Sequence, residues 1–318
     1  MTTHGTDQAT DNARRTAVVV MAYGTPRTKD EILPYYTDIR RGRPPTDEAL
    51  ADLVARYEAI GGLSPLKKLT EDQRDALQRE LDLAAPGQYQ VFLGLKHATP
   101  FVEEAVAEVV AQGFRRIVGI VLAPHYSSYS IGQYIGRVRA VAEQHGREVV
   151  GVDSWAREEA FIDFLAADMS RKLAGMPART KVLFTAHSLP QRIIDGGDPY
   201  PDELRATAEL VAAKVGLDRW SQWSIAWQSA GRTPEPWIGP DILEVIDQIA
   251  TTRDPGDFNE GVMVSACGFV ADHLEVLYDL DIEAKSRAES HGLAFARTAC
   301  VNDDPAVMAA LARRVIDA

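Results

Sequence analysis

Only two cysteines, Cys267 and Cys300, occur among 318 residues. That is too few for the disulfide framework of a secreted scaffold or, within one chain, for the four thiolates of an iron–sulfur cluster. Basic residues are in the minority. The 34 Lys and Arg face 46 Asp and Glu, and a net charge of −12 disfavours nucleic acid and anionic membrane surfaces as partners. No apolar run approaches the roughly 20 residues that a membrane-crossing helix needs. The opening MTTHGTDQATDNARR lacks the apolar centre of a secretory signal, so residues 1–14 are expected to form a disordered tail on a cytoplasmic protein. Gly-x-Gly-x-x-Gly after a strand, a phosphate loop ending in Gly-Lys-Ser/Thr, and a Gly-x-Ser-x-Gly elbow around Ser188 are all missing, which takes weight from dinucleotide, nucleotide and serine-hydrolase readings. No two histidines lie four apart on a helix, which argues against a structural zinc site.

What the chain does have is a series of short β-branched runs bounded by Gly or Pro, as strands buried on both faces of a parallel sheet read. They fall at 16–22, 90–95, 117–122, 148–152, 181–186, 223–227 and 262–266. Amphipathic stretches alternate with them, including 101–112, 132–145, 157–174, 201–215 and 240–250, and Thr70 is expected to cap a helix that follows it. The length suits two domains. The expected fold is α/β, two Rossmann-like doubly wound domains at 15–150 and 151–318 with a cleft between them. The runs end on polar residues, Tyr23, Lys96 and His97, His125, and His187. Ligands of open α/β sheets bind at that edge.

Three constellations carry chemistry. His187 closes the run KVLFTAH and reads either as a functional base or as a hydrogen-bonded strand end. Glu275, Asp279 and Glu283 recur every four residues, one file on a continuous helix, which reads either as a solvated face or as a route that passes protons outward or hydrated cations inward. Arg40 and Arg41, with Arg43, either stabilise a helix C-terminus or clamp the carboxylates of an anionic ligand. Ser64, Ser127, Ser128 and Ser229 are further candidate donors to carboxylates. Trp237, Trp227, Tyr126 and Tyr129 suit a flat aromatic ligand. His97 and His125 read more readily as histidines satisfied by their surroundings.

The segments MAYGTP, YYTDIRRGRPP, RYEAIGGLSPL, GLKHATPF, LAPHYSSYS, TAHSLP, GDPYP, WQSAGRTPEPWIGPD and GFVADHLEVLYD resemble, in order and spacing, the ferrochelatases, and most closely the coproporphyrin ferrochelatases of Gram-positive bacteria. The resemblance runs from about residue 16 to the C-terminus. It implies a chelatase-like fold that binds a porphyrin and inserts ferrous iron as a substrate in haem biosynthesis. It makes His187, Glu275 and Tyr23 catalytic, with Tyr23 and His187 on opposite faces of the macrocycle. Arg40, Arg41 and Ser64 fall in its propionate-binding segments, and Ser128, Ser229, Lys96 and Trp237 complete the expected substrate contacts. His187, Glu275, Asp279 and Glu283 are the expected metal contacts. Some relatives carry a 2Fe-2S cluster on four cysteines. With two, this chain is expected to hold no tightly bound cofactor, and Cys267 has no assigned part. The resemblance leaves room for transient contact with neighbouring haem-pathway enzymes. A protoporphyrin ferrochelatase and a non-catalytic porphyrin carrier are the rival readings.

Overall fold

The computed structural model describes residues 11–217, 222–231, 233–252 and 259–318. The chain divides into two compact units. The first runs up to Ala123 and adds Ser128–Trp155 and Asn302–Ala318, and the second comprises Pro124–Ser127 and Ala156–Val301.

In the first unit the strands β1 (Thr16–Ala22), β2 (Tyr89–Leu95), β3 (Arg116–Val121) and β4 (Glu148–Val152) form one parallel sheet in the order β2-β1-β3-β4. Residues 17–21 of β1 are fully buried, as a strand covered by helices on both faces must be. Each Val there contributes about 1.5–3 kcal/mol by leaving water. The helices Val102–Ala111 and Ile131–Ala142 supply the crossovers. The strand order reverses between β1 and β3, so the loops leaving their carboxyl ends diverge and leave a crevice there.

The second unit repeats the plan. Strands β5 (Thr180–His187), β6 (Trp223–Gln228), β7 (Gly261–Ser265) and β8 (Ala294–Arg297) are parallel in the order β6-β5-β7-β8, and the order reverses between β5 and β7. Its apolar core gathers Leu183, Val262 and Val264 from the sheet with Ile242, Ile246, Ile249, Val276 and Leu280 from the helices. Both units are Rossmann-like, doubly wound α/β folds.

Four expectations change. A single division near residue 150 gives way to a discontinuous one, because the C-terminal helix Pro305–Asp317 packs along Leu66–Ala84 of the first unit. Asp304 caps that helix through the N–H groups of Ala306 and Val307, and Gln73 donates to the Asn302 carbonyl at 2.8 Å. The expected disordered tail lies outside the described residues up to residue 10, but Asn12 is buried and donates to the Gln112 carbonyl at 3.0 Å. Thr70 does not cap a helix. The helix starts at Leu66, and Thr70 lies buried inside it with its hydroxyl donating to the Leu66 carbonyl. The helix after β7 is not one α-helix but a short turn Leu274–Leu277, a π-helical segment Asp279–Ala284, and an α-turn Lys285–Ser290.

Candidate active site

In the second unit the two strands at the reversal point carry the chemistry. His187 is the last residue of β5, opposite Gln228 of β6. The chain leaving β7 turns across the end of β5 at Gly268, whose N–H donates to the Thr185 carbonyl at 2.9 Å. A Cβ at residue 268 would lie 2.3 Å from the Ala186 Cβ, so only glycine lets the loop come so close. That approach brings the following residues beside His187.

The His187 Nδ1 lies 2.5 Å from the Ser188 carbonyl oxygen. A carbonyl only accepts, so Nδ1 carries a proton and Nε2 is left to face Glu275 Oε1 at 3.6 Å. The other carboxylate oxygen of Glu275 faces His273 Nε2 at 3.5 Å, and His273 Nδ1 is 2.9 Å from the Ala271 carbonyl. Glu275 thus stands between two imidazoles, with its side chain half-buried. Burial works against charge on both members of the main pair, but each charge supports the other. The Glu275 carboxylate, with Asp279 farther off, outweighs burial and pushes His187 up to about 9. Burial likewise opposes the Glu275 charge, yet the two histidines hold it well below the usual carboxylate range. The resting pair is imidazolium and carboxylate.

Around the pair, Tyr200 donates its hydroxyl to the His187 carbonyl at 3.2 Å, and the Trp237 ring lies 6.3 Å from the imidazole. Gly231 makes room for Trp237, since a Cβ there would lie 2.3 Å from the indole. Gln228 donates to the Glu275 backbone carbonyl at 2.9 Å. Asp279 is buried and accepts the hydroxyl of Ser229, a residue held at φ 58. Ser229, expected as a donor to substrate carboxylates, therefore serves the acidic file. Glu283 follows on the π-helical segment, where its N–H bonds five residues back to Tyr278 at 3.0 Å. In an α-helix a step of four overshoots the 3.6-residue turn, and in a π-turn it falls short. The drift from Glu275 to Asp279 is thus reversed from Asp279 to Glu283, and the file keeps to one side. Among the described residues no three His, Cys, Asp or Glu side chains converge to hold a metal ion, so the four expected metal contacts do not form a closed ligand set. Cys267 is fully buried, its thiol directed at the Thr185 carbonyl, and burial pushes it up to about 12.

The first unit gathers a second group at its own strand ends. Tyr23 follows β1, 42% exposed, with its ring 4.5 Å from that of His97. His97 Nδ1 meets Asp38 at 2.6 Å, yet burial outweighs that carboxylate and pushes the imidazole down to about 4, so it is neutral at pH 7 and donates to Asp38. Lys96 bonds Gln133 at 3.0 Å over the Tyr134 ring, and burial with Arg137 and Arg41 nearby pushes its ammonium down to about 8. Arg40 and Arg41 end the helix Ile32–Ile39 with side chains in solvent. Arg41 occupies the left-handed region at φ 57, where a non-glycine residue costs on the order of 1 kcal/mol. Ser64 engages its hydroxyl oxygen locally. It is buried and accepts the Leu66 N–H at 3.2 Å, capping the next helix. Ser128 is exposed. Ser127, which belongs to the second unit, is buried and donates to Asp198 there. His125, in the same short segment of that unit, pairs through Nε2 with Thr207 at 2.9 Å rather than with the serines and tyrosines beside it in sequence, and its buried Nδ1 has no hydrogen-bond partner among the described residues. Sequence reasoning missed His273, although it lies two residues before Glu275, and missed Arg137 and Gln133, which stand one helical turn apart beside Lys96.

These sites stand on a chain that matches the ferrochelatase family over residues 15–318. It is 43% identical over 305 residues to the coproporphyrin III ferrochelatase of Halalkalibacterium halodurans, covering 94% of this chain and 96% of that one. Identity to the coproporphyrin III ferrochelatase of Geobacillus kaustophilus is also 43% over 305 residues, with 94% of each chain covered. The ferrochelatase of Herpetosiphon aurantiacus is 43% identical over 298 residues, 92% of this chain and 95% of that one. Among solved structures, the sirohydrochlorin chelatase of Bacillus subtilis subspecies spizizenii in complex with cobalt shares the fold, with a TM-score of 0.56 at 11% identity over 95% of this chain and 94% of that one. With the match extending over almost all of its length, the chain belongs to the ferrochelatase family.

Proposed function

We propose that the protein inserts ferrous iron into coproporphyrin III to give coproheme, with His187 and Glu275 handling the protons. The observation that carries this reading is the fixed imidazole: Nδ1 is committed to the Ser188 carbonyl, so Nε2 is the ring nitrogen left to exchange a proton, and it faces Glu275. A protein that merely carries a porphyrin needs no carboxylate there.

Metalation replaces two pyrrole protons by one dication, so two protons must leave for each iron that enters. In the resting pair Nε2 is protonated and cannot accept. An approaching dication repels the imidazolium proton, which passes by way of Glu275 toward solvent, and the emptied Nε2 takes the first pyrrole proton, releases it by the same route and takes the second, which ends the cycle as the imidazolium again. Cation entry and proton exit are thereby coupled through one pair. Asp279 and Glu283 extend the acidic route, with the Ser229 hydroxyl holding Asp279 in place. In the second unit Trp237 offers an aromatic surface beside His187. Coproporphyrin carries four propionates, and Arg40, Arg41, Lys96 and Arg137 are the basic groups proposed to meet carboxylates, each as a charged donor.

Among the described residues no helix is long and apolar enough to cross a membrane. We propose that the protein works in the cytoplasm and, because its −12 charge is repelled by them, away from nucleic acid and anionic lipid. An anaerobic insertion assay comparing coproporphyrin III with protoporphyrin IX tests the reading. Faster turnover of protoporphyrin would replace the substrate, and binding of both without insertion would favour a carrier.

A further inference from the structure

Arg297 ends the edge strand β8, and its guanidinium side chain is only 15% exposed. It grips Asp281 with two parallel bonds, Nε to Oδ1 at 2.6 Å and a terminal nitrogen to Oδ2 at 2.9 Å. That same nitrogen donates to Asp272 Oδ1 at 3.0 Å, and the other terminal nitrogen donates to the Thr298 carbonyl at 3.1 Å. Asp272 directly precedes His273, and Asp281 sits in the π-helical segment between Asp279 and Glu283. One cation therefore ties down two points of the stretch that carries the acidic file, one before Glu275 and one between Asp279 and Glu283.

The anchor is itself held. The Arg297 carbonyl accepts from Lys172 at 2.7 Å, and Lys172 pairs with the buried Asp168 at 2.9 Å. Asp168 also accepts the Ala299 N–H at 2.7 Å. Between Asp272 and Glu283 the chain has five carboxylates and no Lys or Arg. Unrelieved, their mutual repulsion would open the segment. Arg297 neutralises two of them and leaves Glu275, Asp279 and Glu283 for other work.

We propose that Arg297 is a positioning residue, which through Asp272 and Asp281 holds Glu275 at His187 and keeps Asp279 and Glu283 in line for the incoming ferrous ion. This rests on the proposed iron-insertion reading of that site. A bidentate grip that also reaches a second carboxylate suits the planar guanidinium and not an ammonium.

The test uses Arg297→Met, Arg297→Lys and Asp281→Asn in the full chain, with hydrogen exchange and steady-state kinetics measured together. Exchange should quicken at residues 273–284 while β5 and β7 stay protected. The iron KM should rise roughly 10-fold or more, the size of loss seen when groups supporting a metal contact are removed. Porphyrin affinity, read by fluorescence quenching, should be unchanged, and Arg297→Lys should recover only part of the iron KM. Should Arg297→Met not fold, Asp281→Asn makes the same comparison with the cation still present. Unchanged exchange in the segment, or faster exchange with iron KM and kcat as in wild type, would overturn the proposal and leave Arg297 a structural brace. A wild-type protein that bound porphyrin but inserted no iron would instead sink the functional reading, while exchange still decided whether the clamp orders the segment.

Discussion

Gly268 and Ala186 occupy space that a single added methyl group would have to share: a Cβ on residue 268 would lie 2.3 Å from the Ala186 Cβ and 2.6 Å from its Cα. One obstacle is backbone and cannot rotate away. The loop leaving β7 must then lift from β5, and with it the segment bearing His273 and Glu275. Gly268→Ala is expected to cost about 1–3 kcal/mol, as overpacking does, and to cut turnover by more than the loss of folded protein explains. Thermal unfolding and turnover per folded molecule check this. Wild-type turnover would mean that the close approach is not needed for the pair.

The strands were legible because residues buried on both faces leave unbroken apolar runs, and His187 stood out as the polar end of one. Other features have no such trace. β8 is a four-residue edge strand whose residues are all half-buried, one of them Arg297, so neither an apolar run nor an alternation marks it. The π-helical segment depends on bonds five residues apart that leave the carboxylate spacing unchanged. An amphipathic pattern shows that Pro305–Asp317 buries one face but not that Leu66–Ala84 covers it. Ser64 carried a readable signal for its local bond, a hydroxyl two residues before the helix that begins at Leu66. The Arg297 clamp joins residues 16 and 25 apart and is visible only in the folded chain.

The His187–Glu275 pair gives both stability and activity a pH dependence. His187 is raised from 6.5 to about 9, so its contribution to stability is complete below about pH 6.5 and is lost as pH rises through 9. Glu275 is lowered from 4.5, so its contribution is present above that pH and fades as pH falls below it. Activity runs the other way on the alkaline side, because only the neutral imidazole accepts a pyrrole proton. At subsaturating substrate, kcat/KM should climb from pH 7 toward about 9. Glu275→Gln removes the supporting charge and should move that limb toward or below 6.5 while lowering the maximum. His187→Ala should abolish insertion and leave porphyrin binding within about tenfold. A limb that stays in place in Glu275→Gln would dissociate the carboxylate from the imidazole's proton.

Arg40 and Arg41 divide the capping role from the ligand role. Their side chains are exposed, so solvent screens what each can contribute. Replacing both by Ala should weaken porphyrin binding about tenfold, or roughly 1.4 kcal/mol, with high salt reproducing part of the loss on the wild type. Arg41→Gly relieves the left-handed backbone at φ 57 and removes the charge. If Arg41 only ends the helix, this variant gains stability and binds porphyrin as before. Weaker binding together with a higher melting temperature would show that the strained position is kept for the ligand.

The acidic file can be separated from the proton-handling pair by its kinetic signature. Glu275 touches both imidazoles, whereas Asp279 is bound to Ser229 and Glu283 lies beyond it on the π-helical segment. A group acting in the transition state lowers turnover even when substrate is saturating, but a group that only concentrates cations or passes protons raises the substrate level needed. Glu275→Gln should therefore depress kcat at saturating iron. Asp279→Asn with Glu283→Gln should mainly raise the iron KM, and the increase should shrink at high salt because screening already weakens the long-range field of the carboxylates. Ser229→Ala should move the iron KM in the same direction by a smaller amount, since it removes a support of Asp279 and no charge. Steady-state kinetics over iron concentration and ionic strength decide between the outcomes. Equal losses of kcat from both sets would make the three carboxylates one catalytic unit, and a double variant indistinguishable from wild type would leave Asp279 and Glu283 with no part in iron uptake.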